Sequence, residues 1–364
     1  MQLRTSLREA YRPQKGLHVR TARFYFSHMM LALLLLGTAL VSTAAADSVF
    51  CFDADMLGGS STVCANVYDN PNGGHFGRTV FAVHGFTEAA ASWEPLAGAM
   101  FEDRFLKRSV KRVIAIDLPG RGNSPMPEGL PGGVYGNLYE EDYIDIVVQA
   151  LEALRDAGMG PQVIIGHSMG GLAVQGVQEQ LLSQGESLAS LGVHQAILLG
   201  SLPADGAIWN QIPFPEFVLD LFTQGTDDGP FGRYIFFPQA AAQTGPGFTT
   251  LAGELADNTP PVSEIAVGAE AYNVTHQINA TPDFPSRPFT RERAFSLGKG
   301  TLLTVVAFSQ DAFVIPADQE ALYEYLTGLP AGYFYRFIDT PQAVHNMYIT
   351  EPDVVAKAIR LLAN

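Results

Sequence analysis

Short apolar, β-branched runs alternate along the chain with segments whose apolar residues recur at helical spacing. The strand-like runs cover 49–53, 62–68, 79–83, 112–116, 162–165, 193–199, 301–308 and 333–338. Helical patterns fill 89–100, 139–157, 170–184, 317–327 and 352–363. The first two runs read as an opening hairpin. The others alternate with helices, which is the pattern of a mostly parallel sheet covered on both faces. The expectation is therefore an α/β fold with an eight-stranded, mostly parallel sheet flanked by helices. No internal repeat or low-complexity tract interrupts it.

Two stretches fall outside this rhythm. Residues 202–298 show no strand pattern and are rich in Pro, Gly and aromatics, among them Trp209, Phe214, Phe217, Phe236 and Tyr272. A structureless loop of that length is implausible in a folded domain, so the stretch is expected to be an inserted helical lid. Its aromatics either line an apolar pocket or form the lid's own core. At the other end, Arg4, Arg8, Arg12, Lys15, Arg20 and Arg23 form a basic leader, followed by the apolar run 29–41 and the small residues 42–46. That order reads as a signal peptide cleaved after Ala46, and the apolar run is short for a membrane anchor. The domain reading is a leader over 1–46, a core built from 47–201 and 299–364, and a lid over 202–298.

Composition sharpens this picture. The chain has 364 residues, 47% hydrophobic and 16% charged, enough for one large α/β domain with an insertion. Removing the leader takes six of the 22 basic residues and one of the 37 acids, leaving 16 against 36. So acidic a surface argues against nucleic acid or an anionic membrane as a partner, and fits an exported protein, secreted or periplasmic. The two cysteines, Cys51 and Cys64, flank a turn between the first two runs, where an oxidising compartment would join them across the hairpin. Too few ligands surround them for a zinc site. Asn273 and Asn279 begin Asn-x-Thr triplets, which matter only in a eukaryotic secretory pathway.

The candidate chemistry centres on Gly166-His167-Ser168-Met169-Gly170, placed between a strand and a helix. A serine on such a sharp corner takes a strained backbone, and only small neighbours leave room for it. Its hydroxyl is a weak nucleophile and needs a base, an acid to orient that base, and donors for the oxyanion. His345 follows the last strand, and Asp311 follows the strand over 301–308. Both positions lie at strand C-terminal ends, where α/β sheets carry their sites. Asp205 is the reserve acid. His167 is expected to shape the corner rather than act as base. The oxyanion donors are expected to be the backbone N–H groups of Phe86, in His84-Gly85-Phe86, and of Met169. His84 itself reads as structural.

Four segments together carry a resemblance to the α/β-hydrolase superfamily over residues 49–364: His84-Gly85-Phe86, the segment from Asp117 to Ser124, Gly166 to Gly171, and the loops with Asp311 and His345. The resemblance implies an α/β-hydrolase fold and the chain order Ser, Asp, His for the reacting groups. It resembles lid-bearing esterases and lipases, and is also similar to cofactor-free haloperoxidase-like perhydrolases. Haloalkane dehalogenases and epoxide hydrolases are similar too but carry Asp where Ser168 stands, so acyl transfer is the chemistry implied. The expectation is an exported serine hydrolase acting on a small-molecule ester with an apolar part, without metal or organic cofactor. An exported peptidase or amidase of the same fold, and a ligand-binding protein on a hydrolase scaffold, are the rival readings. Oligomeric state is not written in the chain.

Overall fold

The computed structural model describes residues 46–56, 59–73, 77–85, 88–125, 140–201, 300–311, 314–327 and 334–360. Among them run eight strands: β1 (Ser48–Met56), β2 (Gly59–Asp69), β3 (Arg78–Val83), β4 (Val110–Asp117), β5 (Val163–His167), β6 (Gln195–Leu199), β7 (Leu302–Phe308) and β8 (Phe334–Ile338). They form one sheet in the order β1-β2-β4-β3-β5-β6-β7-β8. The first two strands are antiparallel to each other, and β2 is antiparallel to β4. From β4 onward every neighbour is parallel. This is the eight-stranded, mostly parallel sheet that the alternating pattern predicts. The lid expected over 202–298 lies outside the described residues, as does the leader up to residue 45.

Pleating sorts the central strands onto two faces, because successive side chains of a strand point to opposite sides. Phe81 and Val83 of β3, Ile164 of β5, Leu198 of β6 and Val305 of β7 enter one core. Val80 and Ala82, Val163 and Ile165, Ile197 and Leu199, and Val306 and Phe308 enter the other. All are fully buried, which is why these strands read as continuous apolar runs rather than alternating ones.

Helices cover both faces: α1 (Glu94–Glu102), α2 (Leu106–Ser109), α3 (Glu140–Asp156), α4 (Met169–Ser183), α5 (Pro316–Thr327), α6 (Met347–Thr350) and α7 (Pro352–Ala358). In α3 the spacing of Ile144, Val147, Leu151 and Leu154 lays an apolar stripe on the first core. Helix α4 is buried nearly all round, its Gln175, Gln178 and Glu179 included. On the other face Trp93, Leu96 and Met100 meet Tyr348, Val355 and Ile359. The pattern over 89–100 predicts one helix. It forms instead a 3₁₀ turn over Ala90–Trp93 and then α1, with a proline at the helix start; proline has no N–H to extend the preceding turn and suits a first helical turn. The expected final helix over 352–363 runs as α7 only to Ala358, and 361–364 lie outside the described residues.

The hairpin places Cys51 directly opposite Cys64, with 4.1 Å between their Cα atoms, and a disulfide joins them. A facing pair of this kind brings two Cβ atoms within bonding reach without moving the backbone. No helix among the described residues is long and apolar enough to cross a membrane.

Candidate active site

Strand β5 ends at His167, and α4 begins at Met169, so Ser168 alone makes the corner. Its backbone sits at φ 50° and ψ −117°. It is the one non-glycine residue with positive φ among those described, and such a conformation costs on the order of 1–3 kcal/mol that the surroundings must offset. The glycines explain how it is held. A Cβ on Gly170 would lie 2.2 Å from the Val83 carbonyl oxygen, and one on Gly166 would lie 2.5 Å from the Gly170 oxygen. The helix thus starts in van der Waals contact with the end of β3. Met169, the first residue of α4, has an N–H that the helix itself leaves without an acceptor.

The remaining groups come from the C-terminal ends of neighbouring strands. Asp311 follows β7 and is buried. Its Oδ1 accepts from the Val314 N–H at 2.8 Å, and its Oδ2 accepts from Gln319 Nε2 at 3.2 Å. The same Oδ2 lies 2.8 Å from His345 Nδ1. A carboxylate held on several donors is a fixed hydrogen-bond acceptor, and it directs the His345 Nε2 edge away from itself. Burial alone lowers the pKa of His345. The Asp311 charge and hydrogen bond, with Glu88 farther off, outweigh burial and hold the imidazole above its ordinary range.

His345 is drawn against the corner through its own main chain. Its carbonyl oxygen lies 3.0 Å from His167 Nε2, and the two imidazole rings stand 4.7 Å apart between centroids. The structure therefore brings together Asp311, His345 and the residue directly before Ser168. Phe86 and Asp205 lie outside the described residues.

A scan against protein families gives a match to the alpha/beta hydrolase family over residues 80–358. The chain belongs to that family. Among solved structures, this hydrolase is similar to a thermophilic esterase from Thermogutta terrifontis, with 19% identity over 86% of this chain and 97% of that one, at a TM-score of 0.57. An esterase from Exiguobacterium antarcticum is similar at 16% identity, 86% and 99% coverage and a TM-score of 0.58. The 2-hydroxy-6-oxo-6-phenylhexa-2,4-dienoate hydrolase of Rhodococcus sp. strain RHA1 is similar at 20% identity, 86% and 99% coverage and a TM-score of 0.57. No curated protein matches the sequence.

Around its corner the hydrolase has a polar frame. His84 Nδ1 is 2.8 Å from the Gly85 carbonyl oxygen, and its Nε2 accepts the Leu118 N–H at 3.2 Å. A carbonyl cannot donate, so Nδ1 carries the hydrogen and the ring is neutral. Complete burial agrees, pushing the His84 pKa down to about 4. His84 thus ties β3 to the loop after β4. In that loop Asp117 Oδ1 and Oδ2 accept from the Ala90 and Asn123 N–H groups. Ser124 Oγ donates to the Asp117 carbonyl at 2.6 Å and accepts from the Cys64 N–H at 2.8 Å. The segment from Asp117 to Ser124 is a wall held by its own hydrogen bonds.

The sequence reading misses Glu88. Its carboxylate is buried, lies 3.1 Å from His167 Nδ1 and accepts the Gly85 N–H at 2.6 Å. Burial raises its pKa, but His167, the Gly85 amide and His84 together bring it below its ordinary value. Tyr348 is missed as well. Its ring packs on both His167 and Trp93, at 4.6 and 4.7 Å. Burial and the nearby Glu88 charge hold its hydroxyl far above the usual range. Neither residue has a local sequence signal, since each acts on a partner far along the chain. Among the described residues, no group of three or more His, Cys, Asp or Glu side chains is arranged to hold a metal ion.

Proposed function

We propose that this hydrolase is an exported serine esterase that cleaves carboxylic esters with an apolar acyl or alcohol part. The observation that carries the reading is the 2.8 Å contact of His345 Nδ1 with Asp311, with His345 held against the residue before the strained Ser168. In the proposed reaction His345 Nε2 takes the Ser168 hydroxyl proton as Oγ bonds to the ester carbonyl carbon. Asp311 holds the imidazole in the required tautomer and stabilises the imidazolium. The oxyanion is received by the amides of Met169 and Phe86, each donor worth about 3–4 kcal/mol in such sites.

Collapse of that intermediate breaks the ester C–O bond, and His345 returns the proton to the departing alkoxide. Water, deprotonated by the same imidazole, then attacks the acyl carbon and frees Ser168. Four parts of the reading go beyond the described residues: the leader cut after Ala46, the lid over 202–298, the apolar pocket it would cover, and the Phe86 donor. Gly85 supports the last of these. A Cβ there would fall 3.1 Å from the Ser168 Cβ, so the chain passes beside the serine one residue before Phe86.

The test is a panel of p-nitrophenyl esters of graded acyl length set beside matched aminoacyl amides, with fluorophosphonate labelling of the same protein. Ester turnover rising with acyl length, together with label on Ser168, is the expected result. Preference for the amides would favour a peptidase or amidase. Absence of label and of turnover would favour a ligand-binding role on this scaffold.

A further inference from the structure

Two buried residues outside the proposed reacting set, Glu88 and His167, connect three of the four strand ends that carry the site, those of β3, β5 and β8. Glu88 Oε2 accepts the Gly85 N–H in the loop after β3 and meets His167 Nδ1 at the end of β5. The other nitrogen of His167 reaches the carbonyl of His345 in the loop after β8. The His167 and Glu88 side chains are only 1% and 3% exposed. Gly85 leaves the room this requires, because a Cβ there would stand 2.8 Å from Glu88 Oε2 and 2.9 Å from His167 Nδ1.

Hydrogen-bond chemistry sets the protonation of this link. A main-chain carbonyl only accepts, so His167 Nε2 carries a hydrogen and donates it. An ionised carboxylate also only accepts, so the 3.1 Å contact at Nδ1 requires a second hydrogen between ring and carboxylate. The pair therefore shares one hydrogen between His167 Nδ1 and Glu88 Oε2. The lowered pKa of Glu88 agrees with that assignment. Tyr348 packs on the His167 ring, which fixes the direction in which Nε2 points.

We infer that Glu88 and His167 are positioning residues for the reaction: through the bond from His167 Nε2 to the His345 carbonyl they set where the base stands relative to Ser168. This rests on the serine-esterase reading above. The Asp311 carboxylate at Nδ1 fixes the orientation of the base's ring. The His167 bond fixes the backbone from which that ring projects. Small displacements of a base cost much in rate and little in binding.

Two replacements separate this role from mere packing. A glutamine at 167 places an amide nitrogen near the old Nε2 position, keeping a donor for the His345 carbonyl while leaving Glu88. An asparagine places its amide near Nδ1, keeping the partner of Glu88 while losing His345. His167→Asn is expected to lower kcat for a p-nitrophenyl ester about 10- to 100-fold with KM little changed. His167→Gln is expected to stay within about threefold of the parent. The rate of fluorophosphonate labelling at Ser168 should follow kcat. Both replacements are repeated with Glu88→Gln, so that no buried carboxylate is left without a partner, and near-ultraviolet circular dichroism reports folding.

If the link serves only to give Glu88 a hydrogen-bond partner, the order reverses, and His167→Asn is the active variant. That reversal, or equal activity of the two folded variants, overturns the inference. Failure of the unaltered protein to label at Ser168 removes the esterase reading, and this inference with it, before any variant is compared.

Discussion

His345 Nδ1 and Asp311 Oδ2 meet at 2.8 Å although their residues are 34 positions apart and lie on separate loops. The contact raises the pKa of a buried imidazole that burial alone would lower. A general base works only when neutral, so a raised pKa moves the acid limb of the pH–rate profile upward. The expected kcat/KM profile rises with an inflection above about 6.5, the ordinary histidine value. Asp311→Asn removes the charge, which should move the inflection down and lower kcat by roughly 10³- to 10⁴-fold. The same linkage acts on stability. A histidine with a raised folded pKa stabilises the fold fully below its unfolded pKa and loses that contribution as pH climbs through the folded value.

The backbone of Ser168 gives a prediction in which activity and stability move in opposite directions. Its φ of 50° with ψ of −117° is a region open to glycine and strained for any residue with a Cβ. Ser168→Gly should abolish ester turnover and stabilise the fold by about 1–3 kcal/mol in urea denaturation. Ser168→Ala should be equally inactive without the gain. A glycine variant no more stable than the alanine one would remove the argument from strain.

Gly170→Ala should be far more damaging than its size suggests. The added Cβ would fall 2.2 Å from the Val83 carbonyl oxygen and 2.5 Å from that of His84, both main-chain atoms with little room to yield. Overpacking of this kind costs about 1–3 kcal/mol and sometimes more. Here it also displaces the start of α4 and the Met169 N–H. Lower stability combined with lost activity is expected, read by thermal melting and ester turnover.

Reduction of the disulfide should separate stability from turnover. Cys51 and Cys64 are 13 residues apart, and closing a loop of that length restrains the unfolded chain by about 3 kcal/mol. The bond lies at the β1 edge of the sheet, while the candidate site lies at the ends of β3, β5, β7 and β8. With dithiothreitol present the urea midpoint should fall, and kcat under native conditions should stay within about twofold. A parallel loss of kcat would show that the hairpin supports the site.

The central strands were legible because burial on both faces writes them as unbroken apolar runs. β8 is less so, since three of its five positions are half-buried or exposed at Phe334, Tyr335 and Arg336 and a fourth, Phe337, faces solvent. The four-residue α6 left no signal, as one turn is too short for periodicity. In the site, strand rhythm places Ser168, Asp311 and His345 at strand ends. Glu88 was not legible, because nothing near it in sequence distinguishes it. Its partner His167 lies 79 positions away. A buried contact of that kind is a product of strand order, which a residue pattern does not contain.

Strand order also bears on the stretch from β8 to His345. Three strand spacings of about 4.8 Å separate β5 from β8, so the base must travel back roughly 14 Å across the sheet ends to reach the corner. The connecting segment begins after Ile338 and is fastened two residues before the base, where Gln310 N–H bonds to the Ala343 carbonyl at 2.8 Å. It works as a ruler: its length sets the reach of the imidazole. Most surface loops absorb insertions and deletions at little cost, whereas this one would carry every residue gained or lost directly into the geometry at Ser168.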